Sequence, residues 1–337
     1  MTETTTLKSD VHELETVLEF RPSGWQRVAH PKIGQWARLP TSPTVEAEFT
    51  PTKDSPEEKE DEKPKVKTEK WFFVNGVATE LYWLRFACKK LAKWSSREIT
   101  GVYNRGDGIL WDLIECAGER DATGIGHAAS QRELIERTES STRTQKLLKK
   151  QLETALLAPI EDGKGFAHIV VIAHSQGCLV LRLALEELVA EDCPGIRKLM
   201  LQRLCVFTFG NPSVDWKLDE PDSISPFNQD QGEKGVRYLS SHVLHTEHFA
   251  NKLDFVAKLG VISEHKQESS GYEQNRVFVN KESDWIGHLF GTQYSLDKQH
   301  YKDEKAVDSD PMMGDKSWLL NCGGGVLIPD ARTKARV

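Results

Sequence analysis

The pentapeptide Ala173-His174-Ser175-Gln176-Gly177 sets a serine hydroxyl between an apolar run and a helical pattern. The run before it, residues 168–173 (HIVVIA), is β-branched and nearly continuous, as expected for a strand buried on both faces of a parallel sheet. The stretch after it, residues 176–190, repeats Leu179, Val180, Leu183, Leu185 and Leu188 at helical spacing. A serine at so sharp a strand-to-helix turn is pushed out of the top of the sheet. Small residues two positions away on either side, Ala173 and Gly177, prevent collisions with the neighbouring strand and helix. The backbone N–H of Gln176 then falls at a helix N-terminus, where unsatisfied donors and a positive dipole favour a developing oxyanion. The matching chemistry is nucleophilic attack by the Ser175 hydroxyl. The plainer alternative is that Ser175 only caps the helix.

In this segment the sequence resembles the α/β-hydrolase superfamily, and within it the lipase- and esterase-like serine hydrolases. Their signature is G-x-S-x-G, and Ala173 stands here in place of the first glycine. The resemblance spans roughly residues 70–300 and implies the chain order nucleophile, acid, histidine. Downstream, Asn251-Lys252-Leu253-Asp254-Phe255-Val256 resembles the acid loop of lipases. Asp284-Trp285-Ile286-Gly287-His288 resembles the histidine loop, with a Gly-His step expected to open the final helix. The resemblance thus implies Ser175 as nucleophile, His288 as general base and then acid, and Asp254 as the group that orients the imidazole. It also implies a second oxyanion donor in the loop after an early strand, where Asn75-Gly76-Val77-Ala78 stands, with the backbone N–H of Val77 as the donor.

Each assignment has rivals. Glu247 and Asp284 compete for the acid; His242, His245, His248 and His300 compete for the base. His242, His245 and His248 have a spacing that invites a metal reading. They fall where a strand is expected, so neighbours in that set point to opposite faces, and no metal or cofactor is assigned. His174, beside the nucleophile, occupies a variable position of the motif and is given no role. Gly323-Gly324-Gly325 lacks the lysine and hydroxyl residue of a phosphate-binding loop and reads as a turn.

Positioning these groups requires alternating strands and helices. Residues 71–75 (WFFVN), 99–104, 168–173 and 204–209 read as strands, with two more near 243–244 and at 276–280. Residues 79–94, 109–116, 144–157 and 176–190 read as helices. The expected class is α/β: a mostly parallel central sheet covered by helices on both faces, α/β-hydrolase-like, with an N-terminal extension. Residues 1–40 form that extension, with a helical pattern around Val11 to Phe20. Residues 41–70 carry four prolines and a dense mixed-charge run, and read as a disordered linker. The catalytic domain is expected over 71–300, with a lid at 213–236 and a C-terminal extension of unassigned role over 301–337.

With 51 acidic against 44 basic residues in 337, the net charge of −7 gives no drive toward phosphate backbones, so nucleic-acid partners are not expected. No apolar run approaches the ~18 residues of a membrane span. The start of the chain lacks signal-peptide features and none of the six cysteines forms a C-x-x-C pair, so a reduced cytoplasmic protein is expected. The expected partner is a small-molecule or lipid ester. Hydrolysis of a carboxylic ester is the leading reading. Transacylation or thioester cleavage by the same triad, and a non-catalytic binding or scaffold role on the same fold, stay open.

Overall fold

The computed structural model describes residues 17–20, 69–76, 81–104, 139–160, 165–190, 193–218, 238–267, 270–272, 276–280, 287–303 and 313–329. In chain order the principal elements are β1 (Val17–Phe20), β2 (Glu69–Val74), α1 (Leu81–Ser95), β3 (Ile99–Val102) and α2 (Glu139–Leu157). Next come β4 (His168–His174), α3 (Gln176–Ala190), α4 (Pro194–Arg203), β5 (Leu204–Phe209) and β6 (His245–Asn251). The short helices α5 (Phe255–Leu259) and α6 (Val261–Glu264) lead to β7 (Arg276–Asn280) and β8 (Tyr301–Asp303).

The strands form one sheet in the order β1-β3-β2-β4-β5-β6-β7-β8. The six inner strands are parallel, and β1 and β8 close the two edges antiparallel. Alternation along each strand divides the core in two. Phe72, Val74, Ile169, Val171, Leu204 and Val206 pack on one face beneath α2, α3 and α4. Trp71, Phe73, Val170, Ile172, Phe207 and Phe209 pack on the other with α1 and the segment from Trp318 to Ile328. Both faces of the inner strands are buried, which explains why residues 168–173 read as an unbroken apolar run. Because β2, β4, β5 and β6 run parallel, their carboxyl ends lie along one edge of the sheet, where ligands bind in open α/β folds.

Several expectations need correction. Val17–Phe20 is a strand and not part of a helix; its partner β3 supplies the backbone hydrogen bonds that decide the matter. The strand expected near 243–244 starts at His245, after a 3-10 turn over Leu239–His242. The strand expected from Trp71 starts two residues earlier, at Glu69. The sheet does not end with β7, because Tyr301–Asp303 adds an edge strand beyond residue 300. The stretch around His288 is coil and turn, not the opening of a helix. The rest of the linker, the 109–116 helix and most of the expected lid lie outside the described residues.

The C-terminal extension acquires a place. Glu247 on β6 is buried, and both of its oxygens receive donors from that segment. Oε1 accepts from the N–H of Trp318 (2.7 Å), and Oε2 accepts from Ser317 Oγ (2.7 Å) and more weakly from the N–H of Leu319 (3.4 Å). His245 donates from Nε2 to Oε1 (2.9 Å) and stacks on Trp318 with ring centroids 4.0 Å apart. Further on, the N–H of Ile328 donates to Glu69 Oε1 (2.6 Å), and Arg97 joins Glu69 to the carbonyl of Val326.

Candidate active site

The turn between β4 and α3 places Ser175 in the left-handed region, with φ of 57°. A non-glycine residue there is strained and persists only where its surroundings hold it. They do: the N–H of Ser175 donates to the carbonyl of Phe209 (2.9 Å), and its own carbonyl accepts from Cys178 (2.9 Å) in the first turn of α3. The two flanking backbones come very close. A β-carbon on Gly177 would lie 2.6 Å from the carbonyl oxygen of Asn75 and 2.7 Å from that of Val74. One on Gly76 would strike the Ser175 side chain, lying 2.9 Å from its Oγ. Ala173 is buried and accommodated, so the departure from the G-x-S-x-G signature leaves the turn intact.

Because the obstacle at Gly177 is the backbone of β2, Gly177→Ala is expected to cost about 1–3 kcal/mol. Urea unfolding reads this directly, and an unchanged midpoint would mean that α3 slides away freely.

Asp254 stands just after β6 as the N-cap of α5 and is fully buried. Its Oδ1 accepts from the N–H of Val256 (2.9 Å). Its Oδ2 accepts from two donors, His288 Nδ1 (2.8 Å) and Tyr294 Oη (2.5 Å). Burial and the Asp254 charge push the Tyr294 phenol well up, so it stays protonated and donates. A carboxylate only accepts, so Nδ1 of His288 donates to it, and the tautomer this selects has its lone pair on Nε2. That Nε2 is buried and makes no hydrogen bond to any described residue. An ideal β-carbon on Gly210, just past β5, would fall 2.9 Å from His288 Cε1 and 3.0 Å from Asp254 Oδ2. The preceding residue, Phe209, is the one that holds the N–H of Ser175. Serine turn, imidazole and carboxylate are therefore gathered on one edge of the sheet.

Four of the rivals, Glu247, His245, His248 and His300, are occupied elsewhere. Glu247 holds the C-terminal segment. His248 Nδ1 meets Thr208 Oγ1 at 2.6 Å, against Trp216 and Tyr272, on the face opposite His245. His300 Nδ1 meets Ser295 Oγ at 2.7 Å. Val77 and Asp284 lie outside the described residues. Ahead of Val77, Asn75 is tied down: its Nδ2 donates to the carbonyl of Asn104 (2.8 Å) and its Oδ1 accepts from the N–H of Asn104 (2.7 Å). Asn104 Nδ2 in turn donates to Gln176 Oε1 (2.8 Å), which fixes the residue after the serine. Cys178 behaves as the expected core thiol, its ionisation pushed far up by burial.

Sequence reasoning missed three neighbours. Tyr294 carried no local signal. Asn251, first residue of the acid-loop pattern, donates from Nδ2 to the carbonyl of Gly287 (2.9 Å). His174 is buried, its ring 4.6 Å from that of His288, and its Nε2 lies 2.6 Å from the His288 carbonyl.

The strand order, with one parallel block closed by antiparallel edges and the serine turn after its central strand, settles the architecture. The fold is α/β-hydrolase-like. No family model matches the chain, and neither does any curated protein. Among solved structures, the esterase domain of a Rhodothermus marinus protein is similar at 13% identity, covering 68% of this chain and 82% of that one, with a TM-score of 0.27. Esterase B from Lactobacillus rhamnosis is similar at 12% identity, covering 86% of this chain and 85% of that one, with a TM-score of 0.34.

Proposed function

We propose that the chain is a serine hydrolase that cleaves a carboxylic ester of a lipid or small molecule through an acyl-enzyme on Ser175. The observation that supports this best is the bond from His288 Nδ1 to the buried Asp254, made at the same sheet edge as a serine in the left-handed region. In this reading Ser175 Oγ attacks the carbonyl carbon as His288 Nε2 takes its proton. Asp254 holds the tautomer and balances the imidazolium, which then protonates the leaving alcohol. Water repeats the sequence to release the acid. The oxyanion takes the N–H of Gln176, with the N–H of Val77 as the second donor. Solvent-exposed Leu253, Phe255 and Leu289 flank the acid and the imidazole, which favours an ester with an apolar part.

No helix among the described residues is long and apolar enough to cross a membrane. Cys88, Cys178, Cys205 and Cys322 are buried free thiols, which suits the reduced cytoplasm this reading assigns.

A fluorophosphonate probe tests the proposal. Wild-type protein is expected to gain one phosphonyl adduct, mapped by mass spectrometry to the peptide carrying Ser175. A folded wild type that takes no adduct would favour a binding or scaffold role, and an adduct on another serine would displace Ser175 as nucleophile.

A further inference from the structure

We propose that His174 is a positioning residue, which acts through its Nε2–H on the carbonyl of His288 to hold the imidazole in place beside Ser175. The inference rests on the hydrolase reading above and concerns the same site.

His288 belongs to no helix or strand, so no ladder of backbone hydrogen bonds fixes it. Three side chains take that role on three consecutive residues. Asn251 Nδ2 donates to the carbonyl of Gly287 (2.9 Å), His174 Nε2 to that of His288 (2.6 Å), and the N–H of Leu289 donates to Gln293 Oε1 (2.8 Å). A carbonyl only accepts, so Nε2 of His174 must carry the proton. Burial, reinforced by the neighbouring His288 and opposed only by the backbone bond, holds His174 well below the usual histidine range and hence neutral. Neutrality suits the place, because the reaction forms an imidazolium on a ring only 4.6 Å away.

Of the three anchors, His174 alone is adjacent in the chain to Ser175. It ends the strand from which the serine turn departs. Any small shift of that strand end therefore carries the serine and the imidazole together. Preorganisation of this kind matters because a misplacement of about 1 Å can cost roughly 10²-fold in rate.

Two substitutions separate this role from simple packing. His174→Phe keeps an aromatic ring and removes the donor. His174→Gln loses the ring and keeps an N–H donor at similar reach. With p-nitrophenyl butyrate, His174→Phe is expected to lower kcat by about 10–100-fold with KM little changed. His174→Gln is expected to recover most of that loss. The same order is expected for the rate of fluorophosphonate labelling, with thermal unfolding confirming that both variants fold. A reversed order, equal losses, or two unaffected variants would overturn the proposal.

An activity-independent measurement accompanies this. In Ser175→Ala protein, nitrogen NMR of the His174 ring is expected to show the neutral Nε2–H tautomer at pH 6–8, and amide exchange at residues 288–290 is expected to speed up in His174→Phe more than in His174→Gln. The Nδ1–H tautomer, a charged ring, or equal exchange would overturn the clamp. A wild type without labelling would instead overturn the hydrolase reading, leaving the tautomer and exchange results to decide the clamp.

Discussion

Replacing His288 with alanine is expected to lower turnover of p-nitrophenyl butyrate by about 10⁴-fold, with the fold retained. The reason is geometric. The described side chains offer one imidazole bonded to a buried carboxylate beside the serine turn, and the two histidines of β6, His248 and His245, are engaged with Thr208 and Trp318. Asp254→Asn should come close to the same loss. The N–H of Val256 already claims one Asp254 oxygen, so the amide oxygen would stay there and the new NH₂ would face His288 Nδ1. That forces Nδ1 to accept and puts the proton on Nε2, where the lone pair is needed. The double variant should lose little beyond either single one, because the groups act as a unit. Steady-state kinetics on the three proteins checks this, and a variant retaining more than a tenth of wild-type turnover would remove that residue from the mechanism.

Replacing Glu247 with alanine is expected to destabilise the protein by about 3–5 kcal/mol, a figure typical of breaking a buried charged network. The carboxylate has no exposure, and its loss leaves the donors of Ser317 and Trp318 without acceptor inside the core. The midpoint of thermal unfolding should fall by about 10 °C at this chain size. Glu247→Gln should recover little, since its NH₂ would confront a ring of donors. A loss under about 1 kcal/mol would mean that water replaces those bonds without difficulty. Fluorophosphonate labelling at low temperature should persist in Glu247→Ala, because Glu247 makes no contact with Ser175, Asp254 or His288.

The sheet and the serine turn were legible because they rest on local pattern. Residues 168–173 needed only their own apolar continuity, and residues 176–190 only helical spacing. The edge strand Val17–Phe20 was not legible: its identity depends on Ile99–Val102, some eighty positions away, and its side chains fit helical spacing equally well. Glu247 and Asp254 illustrate the same limit. Both are buried carboxylates at or just after one strand, and only the tertiary fold shows that one meets Trp318 and the other His288. His174 was passed over because its partner is a backbone carbonyl 114 residues later, and a carbonyl leaves no mark in the sequence. The C-terminal segment is built of 3-10 turns and irregular chain, which carry no periodicity to read.

The bond from Ile328 to Glu69 spans 259 residues. During synthesis at about 5–20 residues per second, the first strand of the parallel block therefore waits tens of seconds for the acceptor site on its carboxylate to be filled. Until then the face bearing Trp71 and Phe207 lacks part of its cover. A chain stalled shortly before residue 313 is therefore expected to aggregate more readily than the completed one.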